Sequence, residues 1–87
     1  MSHLLEFYGE ECEYCQAMRP LVECVEKEAR VTVDRFEIWH NDKNRKMMDT
    51  YDKQNCGGVP FFYNKKSKRW ICGEATYEEL LAWASGR

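Results

Sequence analysis

The stretch Leu4-Leu5-Glu6-Phe7-Tyr8-Gly9-Glu10-Glu11-Cys12-Glu13-Tyr14-Cys15 decides how the rest of the chain is read. An apolar run is followed by a short polar turn, then by two cysteines three residues apart. From Cys15 onward, apolar residues recur as Met18, Leu21, Val22, Val25 and Ala29, which makes one stripe of a helix. The two thiols therefore sit where a buried strand hands over to a helix. Paired so closely, they can share a disulfide, pass it to a partner, or hold a metal. The unpaired N–H groups and positive dipole end of a helix N-terminus stabilise a thiolate. A free thiol value of about 8.5 should fall there, most of all for the outer cysteine.

Eighty-seven residues make one domain, 1–87. Hydrophobic residues at 44% and aromatics at 14% supply a core and argue against disorder. A formal charge of −2 gives no general pull toward nucleic acid or anionic membrane. No apolar stretch approaches the roughly 18 residues of a membrane span, and no charged segment followed by an apolar run opens the sequence as a secretory leader would. Five cysteines are an odd set, unlike a secreted disulfide scaffold. The expectation is a cytoplasmic monomer in a reducing compartment, where a C-x-x-C is redox-active or metal-binding.

Residues 3–8 read as a buried strand. The helix spans 13 to about 30, with Pro20 inside it removing a donor and bending it. Residues 31–39 carry Val31, Val33, Phe36, Ile38 and Trp39 and read as a second strand. Asn41 caps a second helix through about residue 53, with Met47, Met48 and Tyr51 toward the core. Asn55-Cys56-Gly57-Gly58 breaks it. Phe61-Phe62-Tyr63 and Arg69-Trp70-Ile71-Cys72 form a hairpin around a lysine-rich turn. Thr76 and Glu79 make a capping box that opens a last helix with Leu80, Leu81 and Trp83. The order β-α-β-α-β-β-α predicts an α/β fold: a four-stranded mixed sheet with helices on both faces.

This order, with C-x-x-C at the first strand-to-helix junction and Val59-Pro60 before the third strand, resembles the thioredoxin-like family over essentially the whole chain. Pro20, five residues after Cys15, matches the family's helix-kinking proline. Val59-Pro60 matches its cis-proline step, which implies that the Val59 backbone, with Gly58, turns toward an extended substrate. Gly73 matches the glycine that lets a substrate backbone approach. Glu6 stands where thioredoxins carry a buried Asp. Tyr14 and the short length resemble glutaredoxins. The chain departs from the family at Glu11, where most thioredoxins have Trp, and at Glu13-Tyr14 between the cysteines. It also lacks the basic residues that receive glutathione carboxylates.

The resemblance implies a thiol–disulfide oxidoreductase acting on protein disulfides, with no cofactor beyond the Cys12–Cys15 pair and with an electron-donating reductase as second partner. Cys12, at the exposed helix start, attacks; Cys15 resolves. Glu6 takes the Cys15 proton if its strand is central and covered. Glu11, Glu13 and Tyr14 meet the substrate. Two other readings stay open: a glutathione-dependent enzyme, and a zinc-bound or structural domain. A structural 12–15 disulfide closes too small a loop to stabilise much. A zinc site needs four ligands, and Cys24, Cys56, Cys72, His3 and His40 read as isolated, so no metal is expected. Cys24 reads as a small core residue.

Overall fold

Residues 2–86 are described by a computed structural model. Its elements run β1 (Leu4–Tyr8), α1 (Glu13–Ala29), β2 (Val33–Glu37), α2 (Asp42–Tyr51), β3 (Phe61–Asn64), β4 (Trp70–Cys72) and α3 (Tyr77–Ser85). The strands form one sheet in the order β2-β1-β3-β4. β1 runs parallel to β2, and β3 runs antiparallel to both β1 and β4. The chain is thus a small α/β fold with a four-stranded mixed sheet and three helices.

Alternation along β1 divides the core in two. Leu4 joins Met18, Val22 and Val25 of α1, Phe62 of β3, and Leu80 and Trp83 of α3. Leu5 and Phe7 join Met48 of α2, Ile38 and Phe61, with Met47 and Tyr51 packed at the margin. Helices therefore cover both faces, and β1 is interior to the sheet with four of its five residues buried. Truncating a side chain such as Phe7 or Phe62, both 0% exposed, would cost roughly 3–5 kcal/mol.

Polar side chains close the ends. Asn41 caps α2 by accepting from the Asn44 N–H at 3.0 Å. Thr76 and Glu79 form the reciprocal capping box of α3. Buried Asn64 donates to the Trp83 carbonyl at 2.9 Å and accepts from the Lys66 and Ser67 N–H groups, which ties the hairpin turn to α3. Pro20 lies within α1 without ending it.

Two sequence expectations are corrected. The second strand was expected to run through Trp39, but it ends at Glu37. The Glu37 carboxylate accepts from the N–H groups of Trp39 and His40 at 3.1 and 2.8 Å and folds the chain into a turn. Trp39 is left 51% exposed. Cys24, expected in the core, is exposed: the α1 stripe falls on Val22 and Val25, and Cys24 lies outside it. Among the described residues, no helix is long and apolar enough to cross a membrane.

Candidate active site

The end of β1 delivers the chain to α1 through a turn in which the Cys12 N–H donates to the Gly9 carbonyl at 3.0 Å. Cys12 is the N-cap of α1. Its Sγ accepts from the Cys15 N–H at 3.1 Å, in the place a Ser or Asp oxygen usually takes. The sulfurs of Cys12 and Cys15 are at disulfide distance, with Cα atoms 5.2 Å apart. When the pair is open, the same N–H faces a thiolate, and a hydrogen bond to the charged form favours that form. Cys12 is less open than expected. It is 5% exposed against 1% for Cys15, so the two differ in access only slightly.

The loop before β3 forms a second part of the site. The Val59–Pro60 peptide bond is cis, and the Val59 carbonyl oxygen lies 3.9 Å from Cys12 Sγ. A Cβ added at Gly58 would meet nothing within 4 Å. Gly73, at φ +90°, has similar open space beside its Cα, and its N–H donates to the Pro60 carbonyl at 2.8 Å. Val59 and Gly58 thus share one stretch of surface with Cys12, and Gly73 adjoins it through its hydrogen bond to Pro60. Asp52 holds this loop by accepting from the Cys56 and Gly57 N–H groups at 2.7 and 2.8 Å.

Glu6 is fully buried in β1, beside Arg35 on the neighbouring strand. Arg35 Nε donates to Glu6 Oε1 at 3.0 Å, and its guanidinium lies 4.4 Å over the Tyr8 ring. Burial raises the Glu6 carboxyl above its ordinary range, and the Arg35 charge and hydrogen bond pull part of that back. Glu6 Oε2 has no hydrogen-bond partner among the described residues. Among the described residues, no hydrogen bond joins Glu6 to either sulfur. Cys15 and Arg35 both line a polar cleft of about 700 Å³, with Arg19, Glu37 and His40 at its edges.

The acidic residues around Cys12 are not equivalent. His40, read as isolated in the sequence, has its Nε2 2.7 and 2.8 Å from the two Glu11 carboxylate oxygens. The hydrogen bond with Glu11, then the Glu11 charge, raises the His40 pKa above 6.5. Glu37 also accepts from the Glu10 N–H at 2.9 Å. Desolvation alone would raise the Glu37 carboxyl, but its three backbone hydrogen bonds and the His40 charge outweigh that and hold it low. Glu13 and Tyr14 are exposed on the first turn of α1. The potential ligand atoms of Glu10, Glu11 and His40 lie within 4.8 Å of one another on the exposed rim; among the described residues, they are the group that could hold a metal ion.

Two features escaped the sequence reading. Cys56 and Cys72, read as isolated, have sulfurs at disulfide distance and Cα atoms 5.8 Å apart. The hairpin brings the end of β4 beside the loop before β3, a juxtaposition that sixteen residues of separation do not announce. Trp39 is the other: it lies beside the site, its indole against Gly9, where a Cβ would overlap the ring. The nearness of Trp39 to Ile38 and Phe36 made it look like a strand residue. No protein-family model matches the chain, and no curated protein matches it in sequence.

Proposed function

We propose that this protein is a thiol–disulfide oxidoreductase of thioredoxin-like fold that reduces protein disulfides through Cys12 and Cys15. The observation that carries the reading is Cys12 Sγ at the N-cap of α1, accepting the Cys15 N–H at 3.1 Å, with the Val59 carbonyl 3.9 Å away. A dithiol at a helix N-terminus beside an open backbone segment combines a stabilised thiolate with a surface for an extended chain.

In the reaction, the Cys12 thiolate attacks one sulfur of the substrate disulfide. That S–S bond breaks, a Cys12–substrate bond forms, and the other substrate sulfur leaves as a thiolate that takes up a proton. Cys15, deprotonated, then attacks Cys12 Sγ and releases the second substrate thiol. Two electrons pass to the substrate, and the 12–15 disulfide remains. A dithiol reductant, here an electron-donating reductase, restores the thiols. Glu6 is the proton acceptor for Cys15. Its hydrogen bond runs to Arg35 and not to a sulfur, and Glu6 does not itself line the cleft of Cys15 and Arg35, so the transfer requires an intervening water.

The rim supports a protein substrate over glutathione. Among the described residues, the groove at Cys12 is lined by Glu11 and Glu13 and by no lysine or arginine, so an anionic tripeptide finds no counter-charge there. The proposed setting is the cytoplasm, where both cysteine pairs would cycle as thiols. The test is dithiothreitol-driven reduction of insulin. The wild-type protein should accelerate precipitation of the released chains, and Cys12→Ser and Cys15→Ser should each return the rate to that of dithiothreitol alone. Acceleration that survives both substitutions would overturn the proposal.

A further inference from the structure

Three large hydrophobic side chains are strongly exposed: Tyr14 at 60%, Trp39 at 51% and Trp70 at 46%. Two of them, Tyr14 and Trp39, line one groove of about 480 Å³ with Cys12, Glu13, Gly58 and Val59. We propose that Trp39 and Tyr14 are specificity-determining residues that seat an apolar side chain adjacent to the disulfide cysteine of an extended polypeptide, whose basic residue meets the carboxylates of the rim. This inference rests on the oxidoreductase reading of Cys12 and names the substrate class of that same site.

The two aromatic rings come from unrelated parts of the chain. Tyr14 stands in the first turn of α1, between the cysteines. Trp39 stands in the turn between β2 and α2, far away in sequence. That turn is fixed rather than loose. The Glu37 carboxylate ties the Trp39 and His40 N–H groups to the Glu10 N–H of the turn that precedes Cys12. The indole rests on Gly9, a position with no room for a Cβ. A large indole held in place and left half in water offers apolar area at low ordering cost to whatever covers it.

The rest of the lining says what that is. Gly58 and Val59 present backbone, and the Val59 carbonyl lies 3.9 Å from Cys12 Sγ. An extended chain can pair with such a segment, and alternate side chains then fall into the pocket beside it. Among the described residues the charged lining consists of Glu11 and Glu13, and Glu11 is shared with His40, so Glu13 is the carboxylate open to a lysine or arginine. A small anionic partner finds no counter-charge among these features.

The probes are two synthetic peptides, each with one cysteine held as a mixed disulfide with thionitrobenzoate and one lysine two residues away. One carries Phe beside the cysteine, the other Gly. Ellman's reagent, which has no peptide backbone and no lysine, is the third probe. In a single turnover, with pre-reduced wild-type protein limiting and peptide in excess, the second-order rate constant for thionitrobenzoate release from the Phe peptide should be about tenfold above that for the Gly peptide, a difference residing in the half-saturating peptide concentration, as expected for a buried aromatic contact. Trp39→Ala and Tyr14→Ala should each remove most of that preference, by raising the concentration of Phe peptide needed for half-saturation and not by slowing the step at saturation. Tyr14 is a surface side chain, so its variant tests the groove even if Trp39→Ala fails to fold. Gly9→Ala, which displaces the indole without deleting it, should reproduce the Trp39→Ala result. Equal rates for the two peptides with wild-type protein, or a preference that survives both aromatic substitutions, would overturn the inference while leaving the oxidoreductase reading intact. No thionitrobenzoate release from any probe at Cys12 would overturn both.

Discussion

Arg35 Nε donates to Glu6 Oε1 across 3.0 Å, while the other oxygen of that carboxylate has no hydrogen-bond partner among the described residues. The carboxylate is fully buried, whereas the arginine side chain is 23% exposed. Half-satisfied in this way, Glu6 keeps a raised pKa despite its cation, since desolvation outweighs the Arg35 contribution. A carboxyl whose folded pKa lies above its unfolded value binds its proton more tightly when folded. Its contribution therefore favours the fold most at and below 4.5, the ordinary value, and declines as pH rises through the folded pKa. Glu6→Gln should remove that decline and leave the protein more stable than wild type at neutral pH, because a neutral amide can still accept from Arg35. Urea denaturation from pH 4 to pH 8 measures it. A stability difference between the Gln variant and wild type that does not grow as pH rises, or a Gln variant less stable at pH 7, would contradict the assignment.

Arg35→Met asks the converse. It leaves the buried carboxylate without its cation and should destabilise the protein at neutral pH by roughly 2–3 kcal/mol, less than for a fully enclosed pair because the arginine is partly solvated. The loss should shrink toward pH 4, where Glu6 takes up a proton. A loss independent of pH would mean that Arg35 acts by packing on Tyr8 alone.

Neither partner of this pair was equally legible. Burial of Glu6 followed from the apolar neighbours Leu4, Leu5 and Phe7, which mark a strand covered on both sides. Its cation did not, because the register that sets Glu6 beside Arg35 depends on how two strands align across the crossover. The same limit explains the other gaps. Capping residues Asn41 and Thr76 act within three residues, so the sequence showed them. The Cys56–Cys72 and Glu11–His40 pairs join segments 16 and 29 residues apart, and only the folded chain brings them together. Trp39 was misplaced because an apolar residue after Ile38 continues a strand pattern, and the carboxylate of Glu37 that turns the chain there left no mark in hydrophobic periodicity.

The His40–Glu11 pair sets a second pH dependence. With its folded pKa raised above 6.5 by Glu11, His40 contributes fully below 6.5 and loses that contribution as pH rises through the folded value. Both groups are more than half exposed, so the effect on stability is small and screened by salt. The His40 ring resonances, followed by NMR, should titrate above 6.5 in the wild type and move back toward it in Glu11→Gln. An unchanged midpoint would show that the two side chains do not meet in solution.

Cys56 and Cys72 join the loop before β3 to the end of β4. Closing a sixteen-residue separation should add about 3 kcal/mol to the oxidised protein. Cys56→Ser should remove that increment. Asp52, which holds the Cys56 and Gly57 N–H groups, should keep the loop folded and the Cys12 chemistry active. Chemical denaturation with and without reductant reads the difference. Equal stability of oxidised wild type and Cys56→Ser would mean that the bridge does not form.

The division of labour between Cys12 and Cys15 is the central claim, and trapping a mixed disulfide tests it most directly. Each single Ser variant is incubated, reduced, with a disulfide-containing protein, and the products are read by intact-mass spectrometry. Cys15→Ser should accumulate one covalent adduct through Cys12, since attack survives and resolution does not. Cys12→Ser should form none. An adduct that forms through Cys15 in Cys12→Ser and not through Cys12 in Cys15→Ser would reverse the assignment, and no adduct in either variant would contradict the account.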